Sequence, residues 1–236
     1  MTYDDLATLF RFAVDDTDAD DPLWSDSELN SYMDGAQKEF ARRTDYFSDA
    51  STAAITQIAY VADDTLIALD PRVTKIRSAK LITGKSKLEP VKYTDMESHI
   101  SNPSDYHSPA EYSSQLDWED ATGTPRYLIT DIETNKVRLS PIPVIADTVQ
   151  MMVYRLPLED INDTFQTLEV VEEDYQRGLL FYMKYMAYLK NDADTYDERL
   201  ANTALANHEN FIEKARADLR RVRFSSTKGV VRYGGL

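Results

Sequence analysis

The stretch LKNDADTYDE, Leu189 to Glu198, separates two of the most helix-like segments of the chain. It is either a turn between helices or a cluster of carboxylates shaped for a metal, and the choice separates a structural part from an enzyme. Before it, EEDYQRGLLFYMKYMAYLK is apolar and aromatic from Leu179 to Leu189 except at Lys184, so this helix is expected to be buried on more than one side. It is too short to cross a bilayer. After it, residues 196–224 set Leu200, Ala204, Phe211, Ala215, Leu219 and Val222 along one stripe of a helix about 40 Å long. Such a helix packs antiparallel to a neighbour. Thr195 followed three residues later by Glu198 matches a capping box, and Asn191, Asp192 and Asp194 suit a solvated turn. The glycine and distant glutamate of a calcium loop are missing, so the carboxylates are read as restarting a helix.

Outward from this hairpin, the N-terminal part repeats the helical pattern. Leu6, Leu9, Phe10 and Ala13 mark a short amphipathic helix, followed by the acidic run DDTDADDP. Ser25 and Glu28 form a capping-box pair that opens a second helix, with Leu29, Tyr32, Met33, Ala36 and Phe40 on its apolar face and Arg42-Arg43 in its last turn. From Ile55 the period changes. ITQIAYV, TLIAL, VTKIRSAKLI and LEPVKYT read as strands, with Thr83 to Ser86 as a hairpin tip. A polar excursion from Asp95 to Thr124 carries one helical turn near Met96 to Ile100; then RYLIT, KVRLS and TVQMMVYRL resume the strands, Glu133 to Asn135 making a turn. The expected fold class is α+β, a helical bundle of N- and C-terminal helices with an inserted antiparallel β module. Its parts are residues 1–50, helical; 51–157, the β module; 158–224, the helical hairpin completing the bundle; and 225–236, a C-terminal tail.

Composition limits the chemistry. The 236 residues are 42% apolar and 11% aromatic, enough for a core, and carry a formal charge of −15, which disfavours sequence-independent grip on DNA. Without cysteine there are no disulfides, thiolate metal sites or thiol nucleophiles. The chain is expected to be neither exported by a cleavable signal nor membrane-spanning. Asp16, Asp18 and Asp20 alternate as in a calcium loop, but Asp21 replaces the glycine and Ser27 the bidentate glutamate, so a solvated acidic loop is expected. His99, His107 and His208 are scattered, and no phosphate-cradling glycine motif or nucleophile elbow occurs. Tyr182, Tyr185, Tyr188, Met183 and Met186 are read as packing residues, not a ligand cage. No catalytic, metal or cofactor residue is assigned, and the protein is not read as an enzyme.

The C-terminus breaks the acidic pattern. Between Glu213 and Leu236, Lys214, Arg216, Arg220, Arg221, Arg223, Lys228 and Arg232 face only two acids, Glu213 and Asp218, a local net of +5. After Phe224, SSTKGVVRYGGL has the composition of a tail that orders on binding. It reads as a docking arm with Val230, Val231, Tyr233 and Leu236 as apolar anchors and arginines pairing with carboxylates.

Four blocks together resemble the head-to-tail adaptor (connector) proteins of tailed bacteriophages, especially short-tailed ones. They are LWSDSELNSYMDGAQKEFARRT from Leu23, Trp118 with GTPRY from Gly123, RLSPIPVIADTVQMMVYRLP from Arg138, and DYQRGLLFYMKYMAYLKNDADTYD from Asp174. The resemblance implies a structural virion protein of the phage neck, assembled in the host bacterial cytoplasm, without a membrane partner. It implies a homo-oligomeric ring, twelvefold, that joins the portal protein to tail nozzle or tail fibre proteins and lets double-stranded DNA through as cargo. It also implies that the C-terminal segment reaches onto the portal, giving Arg220, Arg221, Arg223, Phe224, Lys228, Val230, Val231, Arg232, Tyr233 and Leu236 as the docking residues. The surplus among 25 aromatic side chains would then lie between subunits. The alternatives are another neck, tail-tube or nozzle subunit and a tail-associated cell-wall hydrolase.

Overall fold

In a computed structural model, the described residues are 1–18, 20–100 and 117–224. The chain runs α1 (Tyr3–Ala13), α2 (Asp26–Thr44), β1 (Phe47–Asp49), α3 (Ala53–Thr56), β2 (Gln57–Tyr60), β3 (Leu66–Ala68), β4 (Val73–Leu81) and β5 (Lys87–Lys92). It continues with α4 (Tyr93–Ile100), α5 (Asp117–Asp120), β6 (Thr122–Gly123), β7 (Tyr127–Glu133), β8 (Lys136–Ser140), β9 (Ile142–Pro143) and β10 (Asp147–Arg155). The last two helices are α6 (Glu173–Tyr188) and α7 (Glu198–Phe224). Mixed helix and sheet of this kind is α+β. Two compact units result: Met1–Tyr46 with Pro157–Leu236, and Phe47–Leu156.

In the helical unit, local chemistry sets where helices begin. Ser25 accepts from the Glu28 amide at 3.3 Å while the Glu28 carboxylate accepts from the Ser25 amide at 2.8 Å, the reciprocal cap expected from sequence. Thr2 and Asp5 make the same box at α1, where the shorter aspartate still reaches back. At α7 the expectation needs correction. The helix begins at Glu198, so its cap is Asp197, whose carboxylate accepts from the Leu200 amide at 2.9 Å; the Thr195 hydroxyl is buried and caps nothing. The intervening residues form the predicted turn, held by Tyr196 N–H to Asp192 O at 3.0 Å and Asp197 N–H to Tyr188 O at 3.1 Å.

The α6–α7 hairpin is antiparallel, with Gly178 against Phe211 and Tyr182 against His208. Leu179, Met183 and Ala187 bury one stripe of α6, narrower than the sequence suggests, since Met186 is exposed. The buried stripe of α7 is Ala201, Ala204, His208, Ile212 and Ala215; Leu200 and Val222, expected inside, are exposed. A polar residue thus occupies the centre of the seam. The link after Pro157 is pegged to α2 by polar side chains: Gln37 Oε1 accepts from the amides of Glu169 and Val170 at 2.7 and 3.2 Å, and Asp34 accepts from Ile161 N–H at 3.1 Å. Irregular backbone can lie against a helix because these side chains satisfy its amides.

The second unit holds an eight-stranded sheet in the order β1-β10-β4-β5-β7-β8-β3, with β2 also on β10. The expected antiparallel pairings occur around β10, but β5 and β7 are parallel, as are β6 and β9. Parallel neighbours need a long crossover, which the connection from Lys92 to Tyr127 supplies. Its residues 101–116 lie outside the described part of the chain, but its described ends are packed. Met96 and Trp118 are buried against Val91 and Ile129, and the Arg138 guanidinium lies 5.5 Å from the Trp118 ring centre. β1 was missed because it is three residues long and its pairing to β10 is nonlocal.

Candidate assembly surfaces

The basic end of α7 is the sequence's principal candidate. The structure places Arg220, Arg221 and Arg223 in its last turns. Arg221 pairs with Asp218 at 3.3 Å, a solvent-exposed contact worth little. Arg223 donates to the carbonyl of Asp45, which ends α2 in the left-handed region at φ 54°. There the cation meets the carbonyl-rich end of α2, where the helix dipole favours positive charge. Arg223 is therefore engaged within the helical unit, whereas Arg220 is exposed. Phe224 is the last residue of α7. Lys228, Val230, Val231, Arg232, Tyr233 and Leu236 lie outside the described residues.

What anchors that end is the packing behind it. Arg43 of α2 makes a two-pronged pair with Glu209 of α7, at 3.0 and 2.6 Å, which raises the Arg43 pKa and lowers that of Glu209. His208, 1% exposed, stands beside the Tyr182 ring at 5.0 Å. Burial lowers its pKa; Glu209 and Glu39 oppose the shift, and Arg43 adds to it. Phe211 follows, stacked on Phe40 at 5.6 Å and ringed by Tyr175 and Phe181. Of the tyrosines and methionines of α6 expected to pack, Met183 is fully buried and Tyr188 meets Trp24 edge-on at 6.5 Å, whereas Met186 is exposed.

Among the described residues no group of three or more His, Asp or Glu side chains is arranged to hold an ion. Asp16 departs from the solvated loop expected of it: it is 3% exposed, accepts from the Leu23 amide at 2.9 Å and pairs with Arg11 at 2.6 Å. Asp18, Asp20 and Asp21 remain exposed. His107 lies outside the described residues.

The sheet presents a second basic surface. From Arg72 to Lys92 there are seven cations (Arg72, Lys75, Arg77, Lys80, Lys85, Lys87, Lys92) and one acid, Glu89. The alternating strand pattern hides this excess, which a running charge sum along the sequence shows. At its tip, burial pushes the Asp147 carboxyl up, but the amides of Thr83, Gly84 and Thr148 outweigh this and bring its pKa down to about 2. These bonds tie the β4–β5 tip to the start of β10.

The sheet also has a buried ion pair, Asp49–Arg155 at 2.8 Å, beneath Phe47. Burial raises the Asp49 pKa, yet bonds from Thr52, Arg155 and Ser51 prevail and hold it well below the usual carboxylate range. This pair clamps β1 and β10 and is structural.

No helix among the described residues is long and apolar enough to cross a membrane. Among curated proteins none matches the chain. One protein family does, the SU10 adaptor protein family, over residues 1–232. That span takes in both units and most of the basic C-terminus, and the family is one of structural adaptors, not an enzyme class. The chain therefore belongs to the SU10 adaptor protein family and is a head-to-tail adaptor of a short-tailed phage, a virion component associated with portal and tail parts.

Proposed function

We propose that twelve copies close into a collar between the portal and the tail, with the helices as its body and the β module, residues 51–157, inserted in it. Residues 225–236 are the arm that docks on the portal, together with Arg220, Arg221, Arg223 and Phe224 at the end of α7. The observation that carries this is the match to the adaptor family over residues 1–232, which includes all but the last four residues of that arm. Charge supports it. A collar of subunits at −15 each does not grip phosphate, so duplex DNA slides through. The arm's +2, from Lys228 and Arg232, is reserved for carboxylates on the portal. Ordering such an arm costs several kcal/mol, which the contacts made on assembly offset. The collar also meets tail nozzle or fibre proteins.

Deletion of residues 225–236 tests the assignment. The truncated chain should keep its helical circular dichroism and lose co-sedimentation with purified portal rings. Undiminished portal binding by the truncated chain rules out the arm as the latch.

A further inference from the structure

The adaptor reading leaves unused the basic face of the sheet. On β4, β5 and β10 the side chains alternate: Ala79, Leu81, Leu88, Val149 and Met151 are buried, while Lys80, Lys87 and Gln150 point outward. Gln150 pairs with Lys80 and Lys80 with Lys87, so two ammonium groups stand directly opposite across adjacent strands. Like charges in that position are destabilising. Lys85, in the left-handed region at φ 51°, adds a third at the tip, and the three line one groove with Ala50, Ser78 and Met152. Among the described residues none of these lysines has a carboxylate partner. A groove with an apolar floor and an ammonium rim is complementary to an aromatic ring flanked by carboxylates.

The chain itself carries such an element. Phe12, 76% exposed, projects from the end of α1, and Asp15, Asp18, Asp20 and Asp21 follow on the surface. Among the described residues these four carboxylates have no cation partner, unlike Asp16 and Asp26, which both engage Arg11. We propose that the Lys80/Lys85/Lys87 groove receives Phe12 and the acidic loop Asp15–Asp21 of a second copy, making this a subunit-to-subunit contact of the collar.

The inference rests on the collar reading. Copies bearing −15 each repel, so closing them side by side requires a place where local charges attract. A face with positive excess meeting the densest acidic run meets that need. The two halves are different surfaces of one chain, so the contact is heterologous and can propagate around a ring. Duplex DNA is the poorer occupant. Phosphates gain nothing from the apolar floor or from Met152, whereas an aromatic ring does.

Two charge-swapped chains test this: Lys80→Glu/Lys85→Glu/Lys87→Glu and Asp18→Lys/Asp20→Lys/Asp21→Lys. Each alone sets like charges against each other. Mixed, they attract only in strict alternation, because every groove then meets a loop of opposite sign. Sedimentation without portal, at about 50 mM salt where screening is weak, should show a one-to-one mixture associating at least about tenfold more tightly than either variant alone. With portal, electron microscopy should show rings for wild type and for the mixture, not for the single variants. The proposal is overturned if either variant alone assembles like wild type, or if the mixture gains nothing while both variants stay folded by circular dichroism. It is also overturned if wild type shifts duplex DNA, the lysine variant does not, and that variant still forms rings. Tight association of the mixture with no wild-type ring on the portal supports the contact and counts instead against the collar.

Discussion

Gly178 of α6 lies directly against the Phe211 ring of α7, and Gly178→Ala measures what that close approach is worth. A Cβ at this position would lie 2.0 Å from Phe211 Cζ and 2.1 Å from Cε2. Carbon atoms in contact sit about 3.5–4.0 Å apart, so the ring or the helix must retreat by about 1.5 Å or more. A ring at the surface would swing away at little cost. Phe211 is instead boxed in by Phe40, Tyr175, Phe181 and His208, with centroids 5.6 to 6.4 Å away. Overpacking of this kind costs about 1–3 kcal/mol, opposed by the roughly 1 kcal/mol that alanine gains over glycine in a helix. Alanine should therefore be neutral at best and up to about 2 kcal/mol destabilising. Urea unfolding followed by helical circular dichroism reads this directly. Phe211→Leu should by itself destabilise, yet combined with Gly178→Ala it should give a favourable coupling, because the ring atoms that collide are gone. A single Gly178→Ala variant more stable than wild type by the full propensity gain, with additive double-variant energies, refutes the close approach.

Three further outcomes follow from the electrostatics. Asp49→Asn removes the carboxylate paired with the buried Arg155 guanidinium and should cost up to about 3–5 kcal/mol in the sheet unit; because the Asp49 pKa is lower folded than unfolded, wild-type stability from this group is complete above about pH 4 and falls as pH drops toward the folded value, a dependence the variant should lack in acid titration. His208 also has a lowered pKa, so the unfolded chain takes up its proton first: stability should fall as pH drops below about 6.5, and His208→Leu should flatten that slope in thermal melts at pH 5 to 7 relative to wild type. Asp147→Ala frees the amides of Thr83 and Gly84, so limited trypsinolysis after Lys85 should be several-fold faster than in wild type.

What sequence could show was mostly local. The start of α2 was readable because Ser25 and Glu28 sit three residues apart, and the β4–β5 turn because Thr83 to Ser86 interrupts two alternating runs. Register across distance was not readable. Nothing in VKY or RYLIT announces that β5 and β7 run parallel, because the decision is made by a crossover whose contacts, Met96 and Trp118, are scattered in a polar segment. The seam of α7 departs from the apolar stripe of its sequence because residue type alone does not fix burial. His208 lies inside among the rings of Tyr182 and Phe211, while Leu200 is exposed. The lysine groove was missed for a related reason: Lys80 and Lys87 become neighbours only once the hairpin pairs. The docking residues beyond Phe224 lie outside the described part of the chain.

Electron cryomicroscopy of the full-length chain bound to its portal tests the arm and the collar together. A closed ring on the tail-facing end of the portal, with residues 225–236 resolved against portal carboxylates, is the predicted image. Subunits held to the portal through another surface, with those twelve residues still cut by protease at the rate of the unbound chain, would show that the basic terminus does not fasten the adaptor.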